Sequence, residues 1–168
     1  LHVDTQAGHA KRVAHVANQI GRKLGFEGRN LERLHFGALL HDIGMLKIDV
    51  RAEDKVATRR HPAIGHQMLK RIRLWEDLAP IVLYHHEWFD GTGYPERIAG
   101  SQIPLESRII GIAEAFDSMT SEASYKVAVP VEEALRRIEA GAGRQFDPEV
   151  VPILVDLVRE GAISTAAP

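Results

Sequence analysis

Two adjacent histidines, His85 and His86, open a run that continues Glu87, Trp88, Phe89, Asp90, Gly91, Thr92, Gly93, Tyr94 and Pro95. Such a run makes a poor core segment and a good rim for a metal site. Neutral imidazoles and carboxylates suit first-row transition metals, and neighbouring imidazoles at a helix end can splay towards different ions. The glycines let the backbone turn sharply and approach a ligand closely. Upstream, His41 and Asp42 stand together at the inner end of an apolar helix. A buried carboxylate there is costly unless it is paired or bound to a cation, and an aspartate so placed can bridge two cations while its neighbour ligates one. His61 precedes Pro62 at a loop-helix junction. His9 shares a face with Val13 and on its own reads first as a satisfied core histidine. Glu114 and Asp117, one turn apart, either look into a shared pocket or are solvated helix carboxylates.

The elements that must position these groups are helices. Val13, Val16, Ala17, Ile20 and Leu24 mark a first amphipathic helix over 4–24, which leaves Arg12 and His15 in solvent and stops in the glycines at 25 and 28. A second helix starts at Asn30 as its N-cap and delivers His41 and Asp42 before Gly44. Residues 49–58 read as a connection. Pro62 suits a first helical position, with Ile64, Met68, Leu69 and Ile72 on the core face and His66 at the surface. A helix from Trp75 ends at His85 and His86. After an irregular stretch at 96–102, a helix over 105–121 carries Ile109, Ile112, Ala113, Phe116 and Met119 inward. Two more close the chain at 131–140 and 147–160, and no convincing strand pair is present.

A chain of 168 residues with 45% hydrophobic and 26% charged residues fits one soluble domain with a real core. The formal net charge of -2 shows no basic field for a polymeric nucleic acid or an anionic membrane. The absence of cysteine excludes disulfides and thiolate metal sites. No apolar run is long enough for a membrane span, and no signal peptide is visible. Nine histidines against three tyrosines and two tryptophans are the one compositional hint of metal chemistry.

Taken as an ordered series, Gly8-His9-Ala10-Lys11-Arg12-Val13, His41-Asp42-Ile43-Gly44, His61-Pro62, the 85–95 run, Arg108-Ile109 through Asp117, Tyr125-Lys126 and Phe146-Asp147-Pro148 resemble the HD-domain phosphohydrolase superfamily, specifically its HD-GYP subgroup. The resemblance covers nearly the whole chain. It implies an all-α helical bundle with additional C-terminal helices. It also implies metal-dependent hydrolysis of cyclic di-GMP, a bacterial second messenger, to linear pGpG and, in some members, on to GMP. By the family's motifs, His9, His41, Asp42, His61, His85, His86 and Glu114 would ligate two divalent ions, iron or manganese, with Asp42 bridging and with Asp42 and His41 as the catalytic pair. Glu87, Asp90 or Asp117 would orient the imidazoles. Lys126, Gly91, Gly93, Tyr94 and Asp117 are the expected substrate contacts. The position four before His9 that carries a third-metal glutamate in some members is Thr5, so two metals are expected.

This sequence departs from the family pattern at Met45, where a lysine is usual, at Glu114, where the usual ligand is aspartate, and at Ala123 and Ser124, which replace an arginine and a proline. These departures keep two alternatives open. One is a weak or inactive metal- and nucleotide-binding module that signals through the Gly-Tyr-Pro loop to a partner such as a GGDEF-type cyclase domain. The other is a phosphohydrolase for a different nucleotide. Because the chain begins at Leu1, residues 1–168 are expected to be a single domain cut from a longer sensory or response-regulator protein. The domain would be cytoplasmic, its parent membrane-attached or not, with a two-fold homodimer as the default assembly.

Overall fold

The apolar stripe of Val13, Val16, Ala17 and Ile20 is fully buried along α1 (His2–Lys23), which packs along α2 (Gly28–Leu40). In the computed structural model the described residues are 2–48, 55–122 and 127–163, with side chains described from residue 8 onward and, after the first break, from residue 56. Helix α2 begins two residues before the expected Asn30, and Glu27 takes the extended N-cap conformation. A 3₁₀ turn, Ile43–Lys47, follows His41 and Asp42. Part of the expected connection is helical, as the single turn α3 (Lys55–Thr58).

Helix α4 (His61–Leu69) opens on His61 with Pro62 in its first turn, as the sequence suggests, but stops before Ile72, which is 42% exposed. The helix expected from Trp75 is split. Glu76–Leu78 forms a 3₁₀ turn, and α5 (Ala79–Tyr84) begins where Pro80 presets the first-turn dihedral. Helix α6 (Leu105–Thr120) is the central element and touches α1, α2, α5 and α7 (Val131–Ala140), while α8 (Val151–Arg159) closes against α1 and α7. Helix α8 starts later than expected because Asp147 is drawn off to an ion pair with Arg108 and caps the Glu149 N–H at 2.8 Å. Among the described residues there is no strand, only an isolated bridge between Ala142 and Phe146. One continuous core runs from Val13 through Ile109 and Ile112 to Leu154.

Close backbone approach fixes the site end of this bundle. A Cβ on Gly44 would stand 2.0 Å from the His61 carbonyl oxygen, so only glycine lets the 3₁₀ turn press against the start of α4. His41 and Asp42 are thereby brought beside His61.

Candidate metal centre

Five segments deliver the candidate ligands: mid-α1 gives His9, the end of α2 gives His41 and Asp42, the start of α4 gives His61, the residues after α5 give His85 and His86, and α6 gives Glu114. The imidazoles are contiguous. Ring centroids lie 5.4 Å apart for His9 and His41, 5.3 Å for His41 and His85, 5.2 Å for His61 and His85, and 5.0 Å for His61 and His86.

Three of these rings share one local device. The Nδ1–H groups of His41, His61 and His85 donate to the carbonyls of Ala38, Thr58 and Val82, each three residues earlier and each at 2.7 Å. A carbonyl can only accept, so the proton is fixed on Nδ1 and Nε2 is left as the donor atom towards a cation. His9 reaches the same state differently, because its Nδ1 donates to the Asp117 carboxylate at 2.7 Å. Asp117 is itself buried and also receives Arg12 Nε at 2.6 Å and the Ser121 hydroxyl at 3.0 Å. The expectation that Arg12 is merely solvated is thus corrected: its guanidinium grips the carboxylate behind His9. Asp117 faces protein groups and orients His9, away from the place where a substrate contact was expected.

The Nε2 and carboxylate atoms then fall into two triads. In His61, His85 and His86, and again in His9, His41 and Glu114, the ligand atoms lie within 4.8 Å of one another. His85 and His86, which as neighbours could splay towards different ions, join one triad with centroids 4.2 Å apart. Asp42 lies between the triads, one oxygen 3.1 Å from His61 Nε2 and the other 3.7 Å from His41 Nε2. Glu114, the longer replacement, stands 3.9 Å from His86 Nε2.

The donor set fits metal ions. His61 and His85 bring their Nε2 atoms to 3.1 Å, with Asp42 Oδ1 equally close to the first. Lone pairs converge there and require positive charge among them. His41 Nε2 is buried without a hydrogen-bond partner among the described residues. Burial, the largest influence, holds His41 and His85 below the usual imidazole range and brings His86 down to about 3, so these rings stay neutral. Burial opposes ionisation of Asp42, but the His61 contact and the surrounding imidazoles outweigh it and keep the carboxyl far below its ordinary value. Glu114 goes the other way. Burial, then the negative charges of Asp42 and Asp117, push it up to about 8. Neutral imidazoles beside carboxylates crowded enough to repel make a nitrogen-oxygen site for divalent ions.

The 87–100 loop closes one side. Glu87 Oε1 accepts the backbone N–H groups of Glu96 at 2.6 Å and Arg97 at 2.9 Å, and Asp90 Oδ1 accepts both donors of Thr92. Glu87 and Asp90 therefore shape the loop and do not orient imidazoles. A Cβ on Gly93 would lie 2.2 Å from the Trp88 nitrogen, so the loop folds back on itself only with glycine there. Tyr94 stacks on His86 at 4.9 Å and 22°. A cleft of about 150 Å³ opens beside His85, His86 and Glu114, backed by Arg108, Ser118 and Asp147. Lys126, like Ala123 and Ser124, lies outside the described residues, as does the side chain of Thr5. The carbonyl clasps and the role of Arg12 escaped the sequence reading. Arg12 sits one turn after His9 on the same helix, and that spacing was the available signal.

The HD-domain family model matches residues 1–150, and this chain belongs to that family, in its HD-GYP branch. It is 36% identical over 156 residues to the cyclic di-GMP phosphodiesterase response regulator RpfG of Xanthomonas campestris pv. campestris, covering 86% of this chain and 41% of the relative. It is 34% identical over 163 residues to a cyclic di-GMP phosphodiesterase of Thermotoga maritima, covering 90% and 44%. The solved structure of a cyclic GMP-AMP-specific phosphodiesterase of V. cholerae superposes with a TM-score of 0.75 at 25% identity, covering 92% of this chain and 44% of that one. The chain spans less than half the length of these relatives. No described helix is long and apolar enough to cross a membrane.

Proposed function

We propose that this chain is the catalytic domain of a phosphodiesterase that hydrolyses cyclic di-GMP to linear pGpG, and on to GMP, with two divalent cations, iron or manganese. The observation that carries the proposal is the placing of Asp42, whose two oxygens reach one imidazole of each triad. His61, His85 and His86 would hold one ion, His9, His41 and Glu114 the other, with Asp42 bridging. Bound there, two such ions supply a hydroxide at neutral pH and neutralise the charge of a phosphodiester displaced in line.

The chain's own groups prepare that chemistry. The Ala38, Thr58 and Val82 carbonyls and the Asp117 carboxylate lock four imidazoles in the ligating tautomer. Asp42 stays ionised next to His41, and these two form the catalytic pair. Gly91, Gly93 and Tyr94 would form the substrate rim, joined by Lys126. The relatives named as cyclic di-GMP phosphodiesterases support this substrate.

A second substrate is favoured by a specific observation: a 3'3'-cGAMP-specific phosphodiesterase of Vibrio cholerae is 36% identical over 152 residues, covering 85% of this chain and 33% of its own length. Both substrates are cyclic dinucleotides with two phosphodiester bonds. A partner such as a GGDEF-type cyclase domain would dock on the Gly-Tyr-Pro loop. The test is turnover of cyclic di-GMP and 3'3'-cGAMP by the iron- or manganese-loaded chain, with products separated by chromatography. Faster release of pGpG supports the proposal. Cleavage of 3'3'-cGAMP alone transfers the assignment to that substrate, and cleavage of neither refutes both.

A further inference from the structure

Beside the metal centre lies a layered arrangement whose outer member, Arg59, has no part in the hydrolytic reading. The phenol ring of Tyr94 lies on the His86 imidazole, and the Arg59 guanidinium lies over the other part of this stack, 4.6 Å from the Tyr94 centroid. Both supports are fixed. The Tyr94 N–H donates to the His86 carbonyl at 3.1 Å, and Arg59 is two residues before His61, whose Nδ1 is clasped by Thr58. An exposed arginine is thereby held beside the metal centre.

Arg59 spends one side-chain hydrogen bond on Tyr94, and because a guanidinium has five N–H donors in a fixed fork, an edge of donors remains. That edge matches two phosphate oxygens in a bidentate pair. Arg12 and Arg108, which also lie near the site, are committed to the Asp117 and Asp147 carboxylates. A cyclic dinucleotide carries two phosphodiester anions, and a metal pair can neutralise only the one it cleaves.

We propose that Arg59 binds the second, non-scissile phosphodiester of a cyclic dinucleotide while the metal centre engages the first. This rests on the substrate class proposed above. The test compares the loaded wild type, Arg59→Ala and Arg59→Lys on cyclic di-GMP and on bis(p-nitrophenyl) phosphate, an ester with a single phosphodiester. Loss of one charge-assisted contact predicts that the ratio of kcat/KM for cyclic di-GMP to that for the aryl ester falls about tenfold in Arg59→Ala. The fall should come through KM, with metal content at the wild-type level and partial recovery in Arg59→Lys. An unchanged ratio overturns the assignment. It would do so whether neither substrate responds or both fall together, the second case showing that Arg59 acts through His86. A wild type that cleaves the aryl ester but neither binds nor cleaves cyclic di-GMP or 3'3'-cGAMP removes the substrate reading, and this assignment with it.

Discussion

Asp117→Asn changes one atom of the site and isolates the device behind His9. The Asp117 Oδ1 atom receives Arg12 Nε and the Ser121 hydroxyl, while Oδ2 receives His9 Nδ1 at 2.7 Å and an Arg12 terminal nitrogen at 3.2 Å. In asparagine the amide oxygen can keep the first pair of bonds. Its NH2 group then takes the place of Oδ2 and meets two donors, the His9 N–H among them. With the oxygen held by the 2.6 Å Arg12 Nε bond, His9 swings away or moves its proton to Nε2, and either change removes the ligating lone pair. An amide turned the other way would keep His9 but set its NH2 against Arg12 Nε. Loss of a carboxylate behind a ligating histidine costs about 10- to 100-fold in metal affinity, or about 1.4 to 2.7 kcal/mol. The deficit should fall on the triad of His9, His41 and Glu114 alone, because His61, His85 and His86 rest on separate supports. Elemental analysis after equilibration against a chelator of graded strength should show one tight ion and one weakened ion. Two ions held with wild-type affinity would refute the tautomer argument.

Other perturbations test other parts of the account. His85→Ala and His86→Ala should each lower metal content by elemental analysis, since both offer ligand atoms to one triad. Gly44→Ala places a Cβ against the His61 carbonyl and 2.8 Å from the Gly65 nitrogen; it should lower stability by about 1–3 kcal/mol in urea melts and weaken the ion at His61. In the chelated chain, the folded carboxyl of Glu114 titrates at about 8 against an ordinary 4.5. Its contribution to stability is therefore complete below pH 4.5 and is lost as pH rises through about 8. His41, His85 and His86 have lowered values, so their contribution is present above the ordinary 6.5 and is lost as pH falls, for His86 towards about 3. The thermal midpoint without metal should peak near pH 6.5, and Glu114→Gln should flatten the alkaline fall; a midpoint that climbs steadily to pH 8 would contradict the charge assignment.

What could be read from the chain and what could not divides along contact range. His85-His86-Glu87 and the glycine-rich turn announced a site because residue type and local spacing carry that information. The start of α4 at His61 followed from a proline that presets its first turn. The start of α8 did not follow, because Asp147 answers to Arg108, 39 positions away, and a local pattern holds no trace of that pair. For the same reason Arg12 looked solvated, since its partner Asp117 lies 105 positions further on. The tautomer of His41 depends on a carbonyl only three residues earlier, yet any helix end offers such a carbonyl. Only the fold shows that the ring turns onto it.

The most direct test of the central claim is an anomalous difference map from crystals of the manganese-loaded chain. The account predicts two peaks, one among His61, His85 and His86 and one among His9, His41 and Glu114, with an Asp42 oxygen within bonding distance of each. A single peak, or two peaks that Asp42 does not join, would contradict it.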